Sequence, residues 1–168
     1  KALKFDKVGG SGSAGASTVG VYQWPAPSGQ YIIDAVVRFA EGGKMGVWNN
    51  TPNNSGAQSQ CEVTITGGQL SAGGETIDGF SSDEFYRIIM SADPETGEYY
   101  VKAYDPKTNQ LLGEIADVSG AAGDMRYLCM SDAFPIELKS LRVYAPVIEK
   151  MTVNTANDVV SVPDEGST

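Results

Sequence analysis

The chain has 168 residues, 41% of them hydrophobic and 20% charged, which fits a single soluble folded domain with a core of ordinary size and not a disordered chain. A formal net charge of −9 argues against a nucleic-acid backbone or an anionic membrane surface as partner, because both call for clustered Lys and Arg. The sequence contains no histidine, which removes the commonest general base, the Ser-His-Asp and Cys-His arrangements and most zinc sites.

No apolar run approaches the ~20 residues a membrane span needs. The chain does not open on a signal peptide, and its start at Lys1 is read as that of a piece cut from a longer protein. Its first segment, LKFDKV, alternates apolar and polar residues and predicts a strand. GGSGSAGAS follows as a flexible loop. It lacks the Lys-Ser/Thr pair and the apolar helix that a phosphate-binding loop would need. TVGVYQW resumes an extended pattern and stops at PAPSG, a turn by composition.

QYIIDAVVRFA is the strongest strand signal in the protein. Tyr31, Ile33, Ala35, Val37 and Phe39 share one face, while Gln30, Asp34 and Arg38 share the other with Ile32 and Val36. EGGK reads as a turn, which predicts that MGVWN returns antiparallel beside that strand. In QCEVTITGGQL, alternation sets Cys61, Val63 and Ile65 inward and Glu62, Thr64 and Thr66 outward.

Two strands joined by DPETG come next, with Tyr86, Ile88 and Met90 on one face of the first. The second has Tyr99, Val101 and Ala103 on one face and Tyr100, Lys102 and Tyr104 on the other. DPKTN turns the chain into QLLGEI, and MRYLCMS and IELKSLRVYAP complete about ten strands with no helix longer than a turn. Short strands at regular spacing predict an all-β fold, a two-sheet antiparallel β-sandwich of jelly-roll type. It would occupy residues 1–146, with 147–168 a linker or the truncated start of a further module. Cys61 and Cys129 could pair in an oxidising compartment, and free half-buried thiols are the preferred reading.

Taken together, YIIDAVVRFAEGGKMGVW, FYRIIMSADPETGEYYVKAYD and IELKSLRVYAP resemble the laminin-G-like, or concanavalin A-like, jelly roll. Phe85, Tyr86, Ile88, Asp93, Gly97, Tyr99 and Val101 carry the resemblance in its hairpin, and Ile136, Leu141, Val143 and Tyr144 in its closing strand. The tail MTVNTANDVVSVPDEGST is similar to the opening of bacterial immunoglobulin-like repeats. The resemblance implies a secreted or cell-surface bacterial protein, with a lectin-like domain that binds glycans without cutting them. Jelly rolls of this type also often hold a structural calcium, for which Asp6, Glu137 and Asp132 are candidates without diagnostic spacing.

A sugar presents apolar C–H faces and a rim of hydroxyls, so its site needs a flat ring with amide or charged groups nearby. Trp48, followed by Asn49 and Asn50 and then by Gln58, has that composition. Trp24, with Tyr22 two residues before it, is a second candidate, and Tyr100, Tyr104 and Arg126 complete the set. The expectation is an exposed Trp48 at the rim of a sheet, stacking on a polysaccharide of plant cell-wall glucan or starch type, neutral because the protein is acidic. Two sequons, at Asn49 and Asn53, support exposure of the loop. The acids Asp83, Glu84, Asp93, Glu95 and Glu98 fall in turns and make no glycosidase pair, so no enzyme is expected. An adhesin or structural interaction domain, and an endo-acting glycosidase or lyase, stay open as alternatives.

Overall fold

A computed structural model describes residues 1–5, 19–23, 29–50, 52, 54–125 and 127–146. Among these there are twelve strands and no helix. In chain order they are β1 (Leu3–Phe5), β2 (Val19–Gln23), β3 (Tyr31–Arg38), β4 (Lys44–Trp48), β5 (Ser59–Thr66) and β6 (Gln69–Ala72). β7 (Glu75–Asp78), β8 (Tyr86–Ala92), β9 (Glu98–Tyr104), β10 (Leu111–Ser119), β11 (Tyr127–Ser131) and β12 (Ile136–Tyr144) follow.

They form two six-stranded sheets, ordered β1-β12-β3-β8-β9-β10 and β2-β11-β4-β5-β6-β7, and the recorded pairings are all antiparallel. This is the jelly-roll β-sandwich that the strand pattern predicts. Two of its strands, β6 and β7, were not expected: SAGGETID is short and mostly polar, and a Gly73–Gly74 turn with φ of +56° and +91° folds it into a hairpin. The core lies between the sheets. It takes alternate residues of each central strand, among them Ile33, Ala35 and Val37 of β3, Ile88 and Met90 of β8, Met45 and Val47 of β4, and Val63 and Ile65 of β5.

The expected β3–β4 hairpin does not form. β3 lies between β12 and β8 in one sheet, whereas β4 lies between β11 and β5 in the other. The EGGK segment is therefore a crossover between sheets. β3 is apolar or half-buried on both faces, so it needs a central place with a long neighbour on each side, and the long strands β12 and β8 supply them.

The β8–β9 and β9–β10 turns repeat one chemistry. In each an Asp side chain accepts backbone N–H bonds within the turn, Asp93 Oδ1 from Glu95 at 2.8 Å and Asp105 Oδ1 from Lys107 at 2.7 Å. In each, too, the residue four positions on is left-handed, Gly97 with φ of +77° and Asn109 with φ of +59°. Asn tolerates this region because its short polar side chain can bond locally.

Cys61 faces the core beside Val47, and Cys129 stands opposite Gly46 on the other face of the same sheet. Both thiols are free and buried, and a sheet lies between them. No helix is long and apolar enough to cross a membrane among the described residues.

Candidate functional site

The sequence-derived site does not assemble as one surface. Trp48 ends β4 on the face turned away from the inter-sheet core, opposite Tyr127 and Ser59, and is nevertheless only 5% exposed. This corrects the expectation of an exposed ring at the sheet rim. The amides beside it serve the loop itself. Asn49 Oδ1 accepts the Gln58 N–H at 2.9 Å, the Asn49 N–H donates to the Gln58 carbonyl at 3.1 Å, and Asn54 Nδ2 donates to Asn50 Oδ1 at 2.8 Å. A loop that leaves a strand must satisfy its backbone groups, and Asn49 meets that need locally, while Asn50 and Asn54 tie the loop side chain to side chain. Trp24 and Arg126 lie outside the described residues, and Tyr22 stands opposite Leu128 in the β2–β11 register.

Tyr100 and Tyr104 lie on the other sheet, about 10 Å away through the sandwich. Both are half-buried on its outer face, where the ladder pairings set side chains in rows across the strands. One row runs Ser140, Val36, Arg87, Tyr104, Leu111. The next runs Arg142, Asp34, Ile89, Lys102, Glu114, and a third Tyr144, Ile32, Ser91, Tyr100. Adjacent strands are about 4.8 Å apart, so from β12 to β10 the face spans ~19 Å.

Asp34 is the fixed point of this face. Its side chain is 3% exposed, in the middle of β3, and two arginines from the flanking strands close on it. Arg87 binds it through both oxygens, Nε to Oδ1 at 3.0 Å and a terminal nitrogen to Oδ2 at 2.8 Å, and Arg142 reaches Oδ2 at 2.7 Å. The Arg87 hydrogen bonds, aided by its charge and by Arg142, outweigh burial and hold the Asp34 carboxyl below the usual carboxylate range. The remaining Arg87 nitrogen donates to Asn109 Oδ1 at 2.8 Å, so the left-handed turn residue also fixes the guanidinium. Sequence reasoning placed Asp34 on this face but missed Arg87 and Arg142 as its partners. The available signal was a charged residue at the centre of the most apolar strand, which must find counter-charges on neighbouring strands.

Aromatic rings punctuate the face, and several carry a cation. Arg87 lies 5.8 Å from the Tyr104 ring centre and Lys102 5.3 Å from that of Tyr100. Phe85, just before β8, is approached by Lys139 at 3.9 Å and Arg38 at 5.0 Å. Two depressions flank the rows. One, of about 490 Å³, is lined by Val36, Glu84, Phe85, Asp105, Lys107, Leu112 and Lys139. The other, of about 220 Å³, lies at the Tyr100 end and is lined by Gln30, Ser91 and the acids Asp93, Glu98, Glu114 and Asp117.

No family model matches the sequence, and no curated protein sequence matches it. Solved structures do match the fold. A mutant of Trypanosoma rangeli sialidase displaying trans-sialidase activity aligns with a TM-score of 0.52 at 14% identity, over 84% of this chain and 25% of that one. Sheep galectin-11 in complex with glycerol aligns at 0.44 and 11% identity, over 74% of this chain and 96% of that one. The alginate lyase AlgAT5, of polysaccharide lyase family 7, aligns at 0.45 and 11%, over 87% of this chain and 78% of that one. At such identities the likeness is one of fold, and the chain spans a quarter of the sialidase.

The calcium candidates are not brought together. Glu137 pairs with Arg38 at 2.8 Å on one sheet, Asp132 pairs with Lys44 at 3.1 Å beside the other, and Asp6 lies outside the described residues. Among the described residues no group of three carboxylate or thiol side chains is placed to hold a metal ion.

Proposed function

We propose that the chain is a noncatalytic carbohydrate-binding domain, which holds a polysaccharide against the outer face of the β1-β12-β3-β8-β9-β10 sheet. One observation carries this reading: the half-exposed rings Phe85, Tyr100, Tyr104 and Tyr144 alternate on that face with polar groups already locked by one another. Rings receive the C–H faces of sugars, and preorganised donors and acceptors meet the hydroxyls without a further ordering cost. The fold match adds no ligand to this argument. A secreted or cell-surface bacterial setting belongs to the same proposal and rests on the resemblance of the hairpin and tail sequences.

The noncatalytic part rests on spacing and charge. A glycosidase pair stands about 5–9.5 Å apart. Asp34 and Glu114 share a row three strand intervals apart, ~14 Å, and Asp34 is held ionised by two arginines, which unsuits it to donate a proton.

Affinity electrophoresis against a panel of plant and microbial polysaccharides tests the proposal. At least one polymer retards the protein, and Tyr100→Ala with Tyr104→Ala weakens that binding at least about tenfold, whereas Trp48→Phe leaves it unchanged. Retardation by no polymer, or undiminished retardation of the double variant, contradicts it.

A second reading, a glycan-cleaving enzyme, draws on the acid-lined depression around Tyr100. It predicts new reducing or unsaturated ends from a bound polymer, lost in Glu98→Gln. The noncatalytic reading predicts intact polymer after prolonged incubation.

A further inference from the structure

The net charge of −9 is unevenly spread. Arg38, Arg87, Lys102, Lys139 and Arg142 stand on or beside the outer face just described, and Lys107 stands at its rim, while the described strands of the other sheet carry one cation, Lys44. Several of the six are already neutralised, Arg38 by Glu137, Lys102 by Glu114 and Arg87 by Asp34. Lys139 and Lys107 make no close ion pair among the described residues, although Asp105 acts on Lys107 at longer range. Arg142, 69% exposed, spends one nitrogen on Asp34 and presents the rest of its guanidinium to solvent. Two lysines without a close ion-pair partner thus stand at the Phe85 end of one face, with Glu84 and Asp105 beside them.

That end is also where the larger depression lies, and its lining combines the apolar Val36, Phe85 and Leu112, the last 42% exposed, with two lysines and two acids. Resting on the carbohydrate-binding reading above, we infer that this depression takes a uronate residue within an acidic polysaccharide. The C–H face of its ring lies on Val36 and Leu112, and its carboxylate meets Lys107 and Lys139, the latter held over the Phe85 ring. The chemistry matches on three counts. A hexuronate has one apolar face and one charge per ring, and the depression sets apolar side chains beside two lysines. Glu84 and Asp105 line the same depression, so a densely charged polymer such as nucleic acid or a heavily sulfated chain would meet repulsion there. The face also runs on for two further rows toward Tyr100, which suits an internal residue of a long chain. The expectation of a neutral ligand followed from the total charge, which is not repeated at Lys107 and Lys139.

The test compares one polymer in two forms by isothermal titration calorimetry: a linear polyuronate, and the same polymer with its carboxyl groups reduced to primary alcohols. The inference expects the polyuronate to bind at least about tenfold more tightly than its reduced form, with a modest weakening by salt. Lys139→Gln and Lys107→Gln each weaken polyuronate binding several-fold, with melting temperatures that stay at the parent value because both side chains are exposed. Equal binding of the two forms overturns the inference and leaves the carbohydrate-binding reading standing. Binding of neither form, nor of any neutral glucan, removes that reading as well. Tighter binding of a sulfated glycan or of duplex DNA than of the polyuronate overturns the inference in favour of unspecific polyanion attraction.

Discussion

Asp34 and Trp48 show opposite relations between a residue's type and its use. A carboxylate in the middle of the most apolar strand is costly unless it is paired, and Arg87 and Arg142 supply three charge-assisted hydrogen bonds. Asp34→Asn removes the counter-charge and leaves two guanidiniums crowded over an amide, which is expected to cost about 2 kcal/mol by denaturant unfolding. The pH dependence follows from the depressed native carboxyl. Its stabilisation is fully present above the ordinary carboxylate value and is lost as pH falls through the lower, native one. Asp34→Asn should therefore flatten the acid limb of the stability curve, and an unchanged limb would contradict the pairing. Trp48 shows the reverse case. Its setting among asparagines reads as exposure, yet the ring is buried and the asparagines close their own loop. In a Trp24→Phe background its emission should be blue-shifted and weakly quenched by acrylamide; strong quenching would place the ring in solvent.

Elements whose hydrophobic period is clean were legible from the chain alone. In β3, β5, β8 and β9 the inward and outward residues fall as alternation assigns them, and both Asp-Pro turns fall where their composition puts them. Two kinds of feature were not legible. β6 and β7 have too few apolar positions for a period, and their pairing comes from the Gly73–Gly74 turn and the neighbouring β5. The crossover after β3 looks like a hairpin because a turn composition does not say which sheet the next strand joins. Asn109 joins the element and residue scales, since one side chain tolerates a left-handed turn and also accepts from Arg87. Asn109→Gly should change stability by less than about 0.5 kcal/mol, while Asn109→Ala should cost about 1 kcal/mol more because alanine resists positive φ. Equal effects of the two would show that backbone strain is not the constraint.

The sandwich separates the two halves of the sequence-derived site, since alternation assigns faces within a strand but not which sheet a strand enters. Trp48 and its asparagines belong to one sheet and Tyr100 and Tyr104 to the other, so no single ligand spans them through the core. The same separation governs the cysteines, which flank β4 on opposite faces. Burial pushes the Cys61 thiol up to about 12 and the Cys129 thiol up to about 11, so both are protonated at neutral pH and poor nucleophiles. The melting temperature should be the same with and without reductant, and a thiol reagent should titrate both cysteines only after denaturation. A reductant-dependent melting temperature would point to a disulfide and to a different strand arrangement.

At the scale of the whole molecule, the proposed ligand surface is the outer face of the sheet that contains β3, β8, β9 and β12. Backbone amide chemical-shift mapping during titration with a bound oligosaccharide tests it directly. The expected shifts are confined to that face, strongest around Phe85, Arg87, Tyr104 and Arg142, with the amides around Trp48 and Gln58 unmoved. Shifts centred on Trp48 and the 49–58 loop would contradict it.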